Sequence, residues 1–191
     1  MDATSNLFAA YQKAEHLIAQ GQLREAADLC KEMLDANPQY PYGYHLMASL
    51  FSATGTFERA VTFSQMATQL APEVCAFHLQ HGQLLYSLGE YESAALSFLA
   101  AHQIEPKNPV TMLLLASTFT GRGLYAEAQK LFNHVRTLSD LPEIDEQEGL
   151  FHVQQGNHKE AENFFDTLTA RCPHYIWGHV YKAKVRMDMR N

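Results

Sequence analysis

The stretch CAFHLQHGQLLYSLGEYESAALSFLAAHQIEP, residues 75–106, decides the fold. Apolar or small residues recur at Leu79, Gly82, Leu85 and Tyr86, and again at Tyr91, Ala94, Ala95, Phe98 and Ala101. These are i, i+3, i+4 and i+7 spacings, so the stretch predicts two amphipathic helices. Gly89 lies in the turn between them and Pro106 follows as a stop signal. The unit is a helix hairpin.

Its neighbours repeat it. The template Gly89, Tyr91, Ala94, Phe98, Ala101, Pro106 moved upstream by 34 residues lands on Gly55, Phe57, Ala60, Ser64, Ala67 and Pro72. A second step lands on Gly21, Leu23, Ala26, Cys30, Met33 and Pro38. Downstream it meets Gly123, Tyr125, Ala128, Phe132, Val135 and Asp140, and then, one residue early, Gly156, His158, Ala161, Phe165, Leu168 and Pro173. A helix-turn-helix of this period defines a stacked array in which no hairpin buries its apolar face alone.

On these residues the chain resembles the tetratricopeptide repeat (TPR) family over nearly its whole length. The family places Gly or Ala at repeat position 8, which is Ala14, Ala48, Gly82, Ala116 and Gly149 here, and Ala at position 20, which is kept in all five registers. The Trp that the family has at position 4 is replaced by Ala10, Tyr44, His78, Met112 and Asp145. The fourth repeat is one residue short, with its proline displaced to Pro142, and the fifth is the most divergent. The resemblance implies an all-α, right-handed α-α superhelix of five hairpins plus a C-terminal helix. As a single domain over 1–191, its repeats run about 7–40, 41–74, 75–108, 109–141 and 142–175, and its terminal helix 176–190. The repeat residues themselves are expected to be scaffold.

Thr4, Ser5 and Asn6 are candidate N-caps of a first helix from about residue 5 to 20. Pro41 and Pro109 stand at helix starts, where a missing N–H costs nothing. In the final helix Ile176, Val180, Ala183 and Met187 make an apolar stripe, with Lys182, Lys184, Arg186 and Arg190 around it. It reads as a solvating cap, or as the opening of a sixth repeat. The sequence stops at Asn191 in charged helix, which is compatible with a piece of a longer protein.

The resemblance also implies a concave groove lined by the first helix of each pair. Carried over by repeat position, its ligand-facing residues are Phe8, Tyr11, Tyr42, His45, Ser49, Leu79, Gln83, Val110, Leu113 and Ser117, with Trp177, Val180 and Lys184 at the far end. Across repeats one to four, the family's groove positions hold one carboxylate, Glu15, and no Lys or Arg. The Lys/Asn/Arg clamp by which TPR proteins hold acidic chaperone tails is replaced by Tyr11, Glu15, Leu46, Ala76 and Gln80, none of which suits that ligand. An apolar peptide or protein segment fits, with Ser49, Gln83 and Ser117 available to bond its backbone.

A net charge of -7 argues against nucleic acid and anionic membrane as main partners. No apolar run is long enough to span a bilayer, and residues 1–6 lack the basic and apolar regions of a secretory signal. Cys30, Cys75 and Cys172 are odd in number and widely spaced, so reduced thiols in the cytoplasm are expected. Among ten histidines, His78 and His81 lie i, i+3 without a completing ligand, and Cys172-Pro173-His174 has no second pair, so no metal or cofactor is expected. Gly121-Arg122-Gly123 lies between helices and is no nucleotide loop, and no nucleophile motif is present. Glu143, Asp145, Glu146 and Glu148 read as a solvated acidic face that attracts a basic partner or the basic final helix of a second copy. The expected function is therefore a non-catalytic interaction scaffold, with a homodimer through the C-terminal helix as a further expectation. The alternatives are the interaction domain of a larger bacterial enzyme, such as a TPR-bearing transferase, and a secretion-chaperone-like protein.

Overall fold

A computed structural model of the chain describes residues 3–190, with side chains from Asn6 onward. The described residues form eleven helices: α1 Ala3–Ala19, α2 Leu23–Ala36, α3 Pro41–Ala53, α4 Phe57–Leu70, α5 Cys75–Ser87, α6 Tyr91–Ile104, α7 Pro109–Gly121, α8 Tyr125–Leu138, α9 Pro142–Gln154, α10 His158–Arg171 and α11 Ile176–Asp188. The fold class is the all-α helical repeat read from the sequence. Contacts divide the chain into two compact units, one ending at Pro106 and one beginning at Lys107. The first holds the hairpins α1–α2, α3–α4 and α5–α6. The second holds α7–α8, α9–α10 and α11.

One turn serves every hairpin. Gly21, Gly55, Gly89, Gly123 and Gly156 all adopt φ between 74° and 78°, open to glycine without a Cβ penalty. The next residue's N–H then reaches back to the first helix, as from Glu90 to Leu85 O at 3.0 Å and from Leu124 to Phe119 O at 2.8 Å. This backbone closure satisfies the carbonyls at the helix end. The next hairpin opens with a repeated contact: the position-4 side chain returns to the carbonyl of the preceding proline. Tyr44 Oη donates to Pro38 O, His78 Nε2 to Pro72 O and His179 Nε2 to Pro173 O, each at 2.9 Å.

Within a hairpin, position 8 yields space to position 24. A methyl group on Gly82 would lie 2.6 Å from the Phe98 ring, and one on Gly149 would lie 2.5 Å from Phe165. Where position 24 is the smaller Cys30 or Ser64, position 8 is Ala14 or Ala48, and all four are fully buried. Close-packed interiors demand this exchange of volume.

The structure corrects three expectations. The first helix already runs from Ala3, so Thr4, Ser5 and Asn6 lie inside it and do not cap it. The acidic run of α9 is not solvated: Asp145 is 1% exposed, Glu148 3% and Glu146 9%. The α11 stripe is turned outward, with Ile176 74% and Met187 67% exposed, while Gly178 and Val185 face inward. An outward stripe of that size is not a solvating cap.

Candidate functional site

In the first unit, aromatic rings form a connected ladder from α1 through α3 to α5. Phe8 stacks on Tyr11 at 6.5 Å, and Tyr11 meets Tyr42 edge-on at 5.3 Å. Tyr42 in turn stands edge-on to Phe77 at 5.2 Å and tilts against Tyr40 at 5.6 Å. His45 tilts against Phe77 at 5.1 Å. Edge-to-face rings hold one another in place at such spacings. Phe77 is the buried root of the ladder, whereas Phe8 is 55% and Tyr42 37% exposed. Tyr11 Oη donates to Glu15 Oε1 at 3.3 Å, and burial together with the Glu15 charge pushes its hydroxyl pKa up to about 12. Tyr11 therefore stays neutral.

Beside the ladder lies a polar cleft of about 340 Å³ lined by Ser49, Ser52, Ala53, Gln80, Gln83, Leu84 and Ser87. Gln80 Nε2 donates to Ser49 Oγ at 2.7 Å and to His45 O at 3.1 Å. Ser49 Oγ itself donates to His45 O at 3.2 Å. These bonds orient Gln80 and leave its Oε1, like His45 Nδ1, buried with no hydrogen-bond partner among the described residues. Burial lowers the His45 pKa below the ordinary histidine value, so the ring is neutral near pH 7.

The groove residues read from the sequence thus divide. Phe8, Tyr11, Tyr42, His45, Ser49, Leu79 and Gln83 belong to the first unit, where Gln83 is exposed and Leu79 half-buried. Val110, Leu113 and Ser117 belong to the second, where only Val110, 44% exposed, is open. Leu113 packs into the core of α7–α9, and Ser117 Oγ is engaged by Leu113 O at 2.9 Å and Gln147 Oε1 at 2.8 Å. The sequence reading missed Gln80, Tyr40 and Phe77. Gln80 stands at a clamp position that the sequence reading set aside as unsuited to an acidic tail, and its bond to Ser49, 31 positions away, shows that it lines the cleft.

The buried acids of α9 make a second polar constellation. Arg136 of α8 bonds Asp145 Oδ1 at 2.7 Å and, through Nε, Glu148 Oε2 at 2.5 Å. Arg171 of α10 takes the other Asp145 oxygen at 2.6 Å and donates to Asp140 O at 3.0 Å. Tyr175 Oη donates to Glu146 Oε2 at 2.5 Å. Burial raises the Glu148 pKa, and the pairing with Arg136 pulls it back. The two guanidiniums offset Asp145 and Glu148, so the cluster ties three helices together. Among the described residues, no group of three or more His, Cys, Asp or Glu is placed to hold a metal ion. His81 Nδ1 is 2.8 Å from the buried Ser64 Oγ, and His78 is spent on Pro72 O.

A family model described as tetratricopeptide repeat matches residues 17–80, from the last turn of α1 to the first half of α5. These residues match the TPR family. TPR repeat-containing protein YpiA of Bacillus subtilis is 27% identical over 123 residues, 64% of this chain and 29% of that protein. Small glutamine-rich tetratricopeptide repeat-containing protein 2 of Mycosarcoma maydis is 25% identical over 113 residues, covering 56% and 32%. The matched regions span less than a third of the length of these curated relatives. Among solved structures, TTC0263, a TPR protein of Thermus thermophilus, superimposes with a TM-score of 0.78 over 95% of this chain and 99% of its own, at 17% identity. PilF of Pseudomonas aeruginosa gives 0.75 over 98% and 91% at 15% identity. YrrB, described as a TPR protein with an unusual peptide-binding site, gives 0.70 over 91% and 90% at 14% identity. At these identities the likeness is one of fold. Among the described residues no helix is long and apolar enough to cross a membrane.

Proposed function

We propose that this chain is a non-catalytic protein-interaction scaffold whose first unit binds an apolar peptide segment on the α1–α3–α5 face. The observation that carries the reading is the aromatic ladder. Its outer rings, Phe8 and Tyr42, are open to solvent while its root, Phe77, is fixed in the core. Rigid aromatic anchors of this kind contribute contact area at small cost in conformational entropy. The exposed Gln83 offers polar groups to the backbone of the bound segment. A peptide-binding site on the similarly folded YrrB supports the assignment by analogy of fold.

A net charge of -7 supports a protein partner over nucleic acid. Free thiols at Cys30, Cys75 and Cys172 suit the cytoplasm, and burial pushes the Cys30 pKa up to about 12, which makes it inert. The repeat period, unbroken across residues 106–107, supports reading 1–191 as one domain. The two alternatives, a transferase's interaction domain and a secretion chaperone, gain no support from the relatives.

The test is selection from a random peptide library displayed on phage, followed by titration of the enriched peptides against the wild type and Phe8→Ala/Tyr42→Ala. Enriched sequences carry two or more aromatic or aliphatic anchors, and the folded double variant binds them at least about tenfold more weakly. Enrichment of charged sequences without such anchors would overturn the reading.

A further inference from the structure

We propose that Glu15 makes the aromatic face selective for a segment with a Lys or Arg beside its apolar anchors, the cation resting on the Glu15 carboxylate and its stem lying along the Tyr11 and Tyr42 rings. This rests on the reading of that face as a peptide site. The argument begins with charge. The helices α1, α3 and α5 together hold one carboxylate, Glu15, and one Lys or Arg, Lys13. Two residues apart on one helix, these side chains do not face each other. Lys13 lines a separate cleft against α2, with Leu29 and Glu32. Glu15 is exposed, and among the described residues it forms no ion pair. Its carboxylate accepts from the neutral Tyr11 Oη at 3.3 Å.

Geometry then joins that charge to the rings. Tyr11 lies one turn before Glu15 and meets Tyr42 edge-on at 5.3 Å, so carboxylate and aromatic rings border one another. The Glu15 charge also reaches His45 on α3, whose buried ring is neutral near pH 7 and does not offset it. A carboxylate on an otherwise uncharged apolar wall concentrates its field there. A basic side chain answers both features at once. Its methylenes cover the rings while its head reaches the carboxylate, and the ring faces themselves attract a cation. An acidic segment is repelled, and a purely apolar one leaves Glu15 without a counter-charge. The net charge of -7 draws a basic segment toward the chain as a whole.

The test is a pair of parallel selections. Random dodecamer peptides displayed on phage are selected against the wild type and against Glu15→Gln, an exposed substitution expected to leave the circular dichroism and Tm unchanged. Both selections are expected to enrich aromatic or aliphatic anchors, and the wild type alone to enrich a Lys or Arg beside them. One dodecamer enriched on the wild type is then labelled with fluorescein and titrated by anisotropy. Replacing its cation by Met weakens binding to the wild type about fivefold, and to Glu15→Gln less than about twofold. A role of Glu15 in merely ordering Tyr11 would give equal losses on both proteins. Anchored peptides without a cation from the wild type, or the same cation from Glu15→Gln, or equal losses in the titrations, overturn this proposal and leave the apolar reading standing. No anchored peptide from either selection overturns both.

Discussion

Tyr42 stands edge-on to Phe77 with ring centroids 5.2 Å apart, one ring open to solvent and the other 1% exposed. The contact joins a surface to a core. Phe77 is packed with Ala67 and Ala71 of the preceding hairpin, so the orientation of Tyr42 is set by the repeat stack as well as by its own helix. The scaffold thereby presents its anchor already ordered, which lowers the entropy cost of binding.

Gly82 lies beneath Phe98 with no room for a methyl group. Gly82→Ala forces the ring or the helices apart and is expected to cost about 1–3 kcal/mol. Adding Phe98→Leu removes the clash, so the double variant is more stable than the sum of the two single changes implies. Urea unfolding of the four proteins measures this coupling.

Asp145 accepts from both Arg136 and Arg171 while almost wholly buried. Asp145→Ala takes one partner from each of two guanidiniums, which keep Glu148 and Asp140, and is expected to destabilise the second unit by roughly 2 kcal/mol, since both arginines are also about a third exposed. Asp145→Asn keeps the shape but not the charge and falls between. Thermal unfolding of the three proteins gives the order.

Burial holds the pKa of His45 and His81 below the 6.5 of a free histidine. Between the two values the unfolded chain carries protons that the folded chain lacks, so these groups contribute stability above pH 6.5 that is lost as pH falls below it. Stability measured by urea unfolding from pH 7.5 to 5 is therefore expected to fall more steeply in the wild type than in His45→Gln/His81→Gln. The raised Glu148 acts in the opposite sense in both proteins and cancels in the comparison.

The helices were readable because the 34-residue period, the turn glycines and the small residues at positions 8 and 20 are all local or periodic signals. What failed depended on partners distant in sequence. Four acids within six residues of a helix start resemble a solvated run until Arg136 and Arg171 arrive from neighbouring helices. Yet Asp145 occupies the position where the family places a buried Trp, and that was the available signal. Ser49 looked free for a ligand, but Gln80 from the next hairpin already bonds it. Leu113 and Ser117 share a helix with the open Val110, yet both are buried, since α7 is apolar on nearly every side and its pattern does not single out an inward face. The α11 helix reads as a solvating cap because basic residues surround its apolar stripe, but the inward contacts are made by Gly178 and Val185 and the stripe itself faces outward.

The most direct test of the aromatic face is amide chemical-shift mapping of the isotopically labelled chain with an enriched library peptide. The account predicts that the largest perturbations fall on α1, α3 and α5, around Phe8, Tyr11, Tyr42, His45 and Gln80. Perturbations confined to α2, α4 and α6, or to the second unit, would contradict it.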